Sequence, residues 1–130
     1  MSQENVEIVK AYFRVFDSGD LDAAAEYLAP DVEWRNEGLI DDESVEGRGA
    51  VKAYWERILS TFPFVHDDVV LDAAGDRVCV TAILRTRGAA SGVELSSPCG
   101  YALTLHAGLV TQSLFFGDPR DARRAAGLEP

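Results

Sequence analysis

The side chains able to do chemistry are few and scattered along this 130-residue chain. Tyr12 comes first. It carries a hydroxyl into the apolar stripe of a helix predicted over 4–16, where Val6, Val9, Phe13 and Phe16 recur at three-and-four spacing and Ile8 widens the face. Such a hydroxyl is either held in a core by a neighbouring group or aimed into a cavity. His66 and His106 are the only histidines. One stands at a strand entrance and the other beside a hairpin turn, so both are expected at the surface or rim, and no metal-ligand spacing links them. Cys79 and Cys99 form neither a disulfide framework nor a zinc pattern. Cys99 shares an inward parity with Tyr101, Leu103 and Leu105, where a free thiol acts as a small hydrophobe. A nucleophilic role would need a base partner that the sequence does not offer. Cys79 is expected to face out. Asp31 and Glu33 flank Trp34, while Asp41, Asp42, Glu43 and Glu46 lie in a polar connection where carboxylates are solvated unless one swings over a pocket mouth.

Periodicity predicts the elements that position these groups. The first helix stops at Asp17-Ser18-Gly19-Asp20. Asp20 caps a short second helix with the stripe Leu21, Ala24, Ala25 and Leu28, ended by Pro30. Val32, Trp34 and Asn36 then alternate with Glu33 and Arg35 as a strand, which puts Asn36 on the face of Trp34. A Gly- and acid-rich connection over 37–46 is a candidate flap. After Gly47 and Gly49 comes the strongest helix, burying Val51, Tyr54, Trp55, Ile58, Leu59 and Phe62, with Lys52 and Glu56 paired on its wet side and Pro63 closing it.

From there the period is two. Strands are predicted over 66–71, 77–87, 93–105 and 109–116, with Val78, Val80, Ala82 and Leu84 on one face and a bulge or kink at Pro98. Asp118, Pro119 and Gly127 bracket a last helix. Helices first and an antiparallel meander afterwards indicate an α+β fold, with helices lying in the curved face of one sheet.

Composition narrows the partners. A hydrophobic fraction of 47% argues against disorder, and a net charge of -10 with no basic stripe argues against nucleic acid and anionic membranes. There is no apolar run long enough for a bilayer and no signal-peptide pattern at the start. A single reduced, cytoplasmic domain over 1–130 is expected, with no metal and no cofactor.

The order of four segments, AYFRVFDSGDLDAAAEYLAPDVEW, VEGRGAVKAYWERILSTFP, GDRVCVTAILRTRG and LTLHAGLVTQSLFFGDPRDARRAAGL, resembles the NTF2-like superfamily and, within it, the SnoaL-like proteins and ketosteroid isomerases. The resemblance implies an NTF2-like (cystatin-like) cone, three N-terminal helices packed into a strongly curved antiparallel sheet, with a short C-terminal helix. It also implies a deep apolar pocket and a homodimer formed through the outer sheet face. The family includes isomerases, polyketide cyclases, epoxide hydrolases and members with no known activity, so fold alone does not settle function. On the isomerase pattern Tyr12 falls at the oxyanion-hole tyrosine, Tyr101 near the second oxyanion donor, and Asn36 at the general base. An amide has no useful basicity near neutral pH, so isomerase chemistry through that base is not expected. The Asp-Arg-Asp set of the epoxide hydrolases has no counterpart, since Arg85 and Arg87 share an outward parity.

The resemblance at Phe116 puts Gln112, Leu114 and Phe116 on the pocket side. Phe115 would then lie on the outer face with Thr81 and Ile83, for a dimer to cover. With Tyr12, Phe16, Trp34, Asn36, Tyr54, Cys99, Tyr101 and Leu103 they make the expected ligand lining, while Trp55 packs against the first helix. Two functions compete. One is a pocket for a small apolar molecule, cyclic or carbonyl-containing, with isomerase- or cyclase-like chemistry if there is turnover. The other is a non-enzymatic dimeric module with a filled cone.

Overall fold

The computed structural model describes residues 2–37, 43–87 and 94–130. Asp41, Asp42 and the turn expected over 88–92 lie outside them. Helices α1 (Ser2–Asp17), α2 (Leu21–Ala25), α3 (Arg48–Thr61) and α4 (Pro119–Ala125) accompany strands β1 (Leu28–Glu37), β2 (Ser44–Glu46), β3 (Phe64–Ala74), β4 (Arg77–Arg87), β5 (Glu94–His106) and β6 (Leu109–Phe116). The strands form one curved sheet in the order β2-β1-β6-β5-β4-β3. Its neighbours are antiparallel except for the parallel pair β1–β6. The fold is the expected α+β cone.

The α1 stripe is buried as its spacing predicts: Val9, Tyr12, Phe13 and Phe16 all join the core between helices and sheet. Asp20 caps α2, its carboxylate accepting from the Ala23 N–H at 3.1 Å. That helix is shorter than its apolar stripe. The chain is drawn into the sheet where Tyr27 O accepts from Val110 N at 2.9 Å, so Leu28 already belongs to β1. Pro30, expected to end the helix, sits inside β1, where pairing with β6 breaks between Leu28 and Glu33 and a missing N–H costs nothing. Within the proposed flap, Ser44–Glu46 form β2, with Val45 opposite Trp34, and residues 38–42 lie outside the described residues. Arg48 ties α3 to the start of β1 by donating from Nε to Leu28 O at 2.9 Å. Phe62, expected on the buried face of α3, is 55% exposed, because the helix ends at Thr61 and Phe62 turns away with φ −131.

Two one-residue bulges set which side chains enter the cone. In β3, Asp67 pairs with Ile83 but Val70 with Thr81, and Asp68 takes a φ of +52. Phe64 and His66 face inward before the bulge, Val69 and Leu71 after it. In β6, Val110 pairs with Leu105 but Gln112 with Thr104, leaving Thr111 as the extra residue, its hydroxyl donating to Thr104 O at 3.1 Å. The inward set is therefore Val110, Ser113 and Phe115, with Gln112, Leu114 and Phe116 outside. No bulge occurs at Pro98: its register with β4 runs unbroken, and it lies past the end of β6, whose pairing starts at Gly100.

The outer face is covered in part by α4. Asp118 caps this helix, and Ala122 and Ala126 pack on Cys79, Ala102, Leu114 and Phe116. Gly100 permits the contact, since a Cβ there would fall 2.5 Å from Ala122 Cβ. Cys79 does lie on the outer face, buried under α4, while Cys99 lies on the inner one. Among the described residues no helix is long and apolar enough to cross a membrane, and no group of His, Cys, Asp or Glu could hold a metal ion.

Candidate functional site

Among the described residues, two neighbouring chambers lie in the cone. The inner one is lined by Tyr12, Phe13 and Phe16 of α1, Trp34 of β1, His66 of β3 and Tyr101 of β5, and its volume is about 10 Å³. That is room for about one water molecule. The outer one is lined by Trp34, Asn36, Tyr54, Ile58, Phe64, Leu84, Tyr101 and Phe115 and measures about 170 Å³. Trp34 and Tyr101 belong to both, and their rings meet edge to face with centroids 6.2 Å apart. They are the partition.

A chain of hydrogen bonds runs along the outer chamber. Trp34 Nε1 donates to Asn36 Oδ1 at 3.1 Å, and Asn36 Nδ2 donates to the Tyr54 hydroxyl at 2.8 Å. The indole N–H can only donate, so the amide atom facing it must be oxygen, and the orientation of Asn36 follows. Tyr54 then accepts from the amide and keeps its own O–H to give. The guanidinium of Arg57 lies 5.3 Å over the Tyr54 ring and also meets Glu43 at 2.8 Å, which steadies the ring from outside.

A second chain lies behind Tyr101. Asp17 Oδ1 is 2.9 Å from His66 Nδ1, Asp17 Oδ2 accepts from the His66 backbone N–H at 3.3 Å, and His66 Nε2 is 2.7 Å from the Tyr101 hydroxyl. His66 is not the rim residue expected. Its side chain is 2% exposed, because the parity of β3 ahead of the bulge turns it inward beneath the end of α1. Phe13 presses on both members, at 4.9 Å from the His66 ring and 5.1 Å from Tyr101. His106, by contrast, is exposed at the end of β5.

Burial shapes the acidity of the hydroxyls and thiols. It pushes Tyr101 well above the ordinary phenol value, with smaller contributions from Cys99, Tyr12, Asp17 and Tyr54. Burial alone raises Tyr12, and it pushes the Cys99 thiol up to about 12. At neutral pH these phenols are hydrogen-bonding groups, and Cys99 is not a thiolate nucleophile.

The expected site residues are thus brought together in part. Trp34, Asn36, Tyr54 and Tyr101 surround the outer chamber, while Tyr12 and Phe16 sit in the inner one, separated from Asn36 by the partition. The Tyr12 hydroxyl has no hydrogen-bond partner among the described residues; its ring leans on Phe13, Tyr27 and Trp55. Trp55 packs against α1, through Phe16 at 5.1 Å. Cys99 and Leu103 are core residues that line neither chamber.

Gln112, Leu114 and Phe116 are corrected to the outer face by the bulge at Thr111. Gln112 donates to Glu33 there at 2.8 Å, and the other two lie under α4. Phe115 takes their place as a pocket wall, with its ring centroid 4.9 Å from that of Tyr101. Asp17 and His66 were missed, although a signal existed. Asp17 is four residues past Phe13 and so continues the buried stripe, and His66 shares the parity of Phe64. Glu33 and Arg85 point away from the cone, the latter to Asp67 at 2.6 Å and Glu94 at 3.1 Å.

A family model described as a SnoaL-like domain matches residues 9–113. Solved structures similar to this chain include a candidate polyketide cyclase from Xanthomonas campestris pv. campestris, with a TM-score of 0.82, 21% identity, and 96% of this chain and 98% of that one covered. A protein of ketosteroid isomerase-like fold from Catenulispora acidiphila, solved with trimethylamine, has a TM-score of 0.77 at 16% identity, covering 94% and 93%. An LEH-like epoxide hydrolase from M. tuberculosis has a TM-score of 0.77 at 15% identity, covering 96% and 90%. No curated protein matches the sequence.

Proposed function

The chain belongs to the SnoaL-like domain family, and from that premise we propose that its outer chamber binds a small apolar ring bearing a carbonyl, for isomerase- or cyclase-like chemistry. The observation that carries this reading is a space of about 170 Å³ walled by Trp34, Phe64 and Phe115, with the Tyr54 hydroxyl supplied as a hydrogen-bond donor. An apolar cavity of about 150 Å³ accepts benzene, so a single substituted ring suits this one and a four-ring steroid does not. The ligand carbonyl accepts from Tyr54. Asn36 aims that donor and abstracts no proton, both ends of its amide being engaged. Tyr12, beyond the partition, contributes to the wall behind Trp34 and Tyr101. Cyclohexanone serves as a probe: ligand-observed NMR should detect binding that Leu84→Trp abolishes by filling the chamber. Binding undiminished in that variant would move the site elsewhere.

Association through the outer sheet face is a second proposal. Val65 and Val70 are 40% and 53% exposed there, beside Thr81 and Ile83, while Phe115 no longer supports it. Sedimentation at micromolar concentration should then give a dimer, and a monomer would remove this reading.

A further inference from the structure

Among the described residues, those lining the outer chamber include neither a carboxylate nor a histidine, so none of them is a conventional base. Among the described wall residues, Tyr101 is the one with a titratable group bonded directly behind it. A carboxylate can only accept, so the neutral His66 ring carries its hydrogen on Nδ1, toward Asp17 at 2.9 Å, and its Nε2 is a lone pair. Tyr101 must then give its O–H to Nε2 across 2.7 Å, leaving the phenol oxygen with acceptor capacity only. Adding one proton to the ring reverses this: Nε2–H donates to Tyr101, and the phenol O–H is released to donate elsewhere.

We infer that Asp17, His66 and Tyr101 form a proton relay that supplies the outer chamber with a base. The inference rests on the reading that this chamber binds a carbonyl compound. As the α C–H bond of the ligand breaks, its proton passes to the Tyr101 oxygen while the proton of Tyr101 passes to His66 Nε2. The electron pair of the C–H bond forms the enolate C=C, and the carbonyl pair moves to the oxygen that accepts from Tyr54. Asp17 stays ionised beside the imidazolium. The reverse transfer returns a proton to the same or another carbon, so no oxidant or reductant is involved. Transferring both protons together avoids a free tyrosinate in a buried site. Tyr101 is the catalytic residue of this scheme, and His66 and Asp17 are positioning residues that act through it.

Other groups that bear on Tyr101 are Cys99 from β5, Tyr12 from α1 and Tyr54 from α3. On β4 the residue opposite His66 is Leu84, which carries no charge, and the Arg85–Asp67 pair is exposed.

The test is deuterium incorporation α to the carbonyl of cyclohexanone in D2O, followed by NMR on the full chain, with binding of the same probe measured in parallel. The wild type should catalyse exchange, and Tyr101→Phe and His66→Gln should each lower it by about 100-fold or more while still binding the ketone. Gln can bridge Asp17 and Tyr101 without taking a proton, so it separates a relay from a strut. Asp17→Asn, which keeps one acceptor oxygen but not the charge, should lower it by about tenfold or more. Failure of the wild type to exchange a ketone that it binds would overturn the relay and leave the pocket standing, as would a change under threefold in His66→Gln. Failure to bind the ketone at all would overturn both.

Discussion

The two hydrogen-bond chains of the cone share a partition but differ in kind. Trp34, Asn36 and Tyr54 form a chain whose directions are fixed, because an indole N–H can only donate and an amide does not titrate near neutral pH. Asp17, His66 and Tyr101 form one whose directions depend on a proton. The first can hold a ligand in one orientation, and the second can change what the ligand meets. A wall with no carboxylate of its own can still take part in proton transfer, provided that a second chain reaches it from behind.

Severing the partition should have the largest effect. Trp34→Ala removes the ring shared by both chambers and should cost about 3–5 kcal/mol in chemical denaturation, with the chambers merged. His66→Leu comes next: it strands the Tyr101 hydroxyl and one side of Asp17, for a loss of about 1–3 kcal/mol, whereas His66→Gln should stay within about 1 kcal/mol of the wild type. Equal losses for Leu and Gln would mean that hydrogen bonding contributes little behind Tyr101. In the fixed chain, Tyr54→Phe should cost only about 1 kcal/mol, and ketone affinity should weaken by about tenfold.

The final test changes no residue and has no effect at neutral pH. Burial raises the Cys99 thiol to about 12 and Tyr101 well above the phenol value. Each therefore holds its proton in the folded state at pH values where the unfolded chain has lost it. Their contribution to stability is full below the ordinary thiol value of 9.0 and is lost as the pH rises toward 12. Denaturation midpoints should fall across that window, and a flat profile would show that the burial of these groups is incomplete in solution.

Much of the architecture was legible because it rests on side-chain period. The buried stripe of α1, the shared face of Trp34 and Asn36, and the inward set Cys99, Tyr101, Leu103 and Leu105 all follow from spacing. The errors lie where one residue is added without altering composition. Ahead of Thr111 the parity of β6 was read correctly, since Val110 is buried; past it, every residue was assigned to the wrong face. The relay was hidden for a different reason. Asp17 opens a cluster of turn residues and His66 opens a strand, and both positions ordinarily face water. Only the three-dimensional approach of the end of α1 to β3 buries them together.

The extra residue at Thr111 has a consequence in genetic terms. Loss of that single codon would leave Ser113 and Phe115 inside the cone and Leu114 and Phe116 under the helix outside, because the residues on either side of the bulge already alternate across it. A three-nucleotide deletion there would thus straighten the strand and keep the same wall, whereas one codon inserted within Gln112–Phe116 would exchange the two faces beyond it.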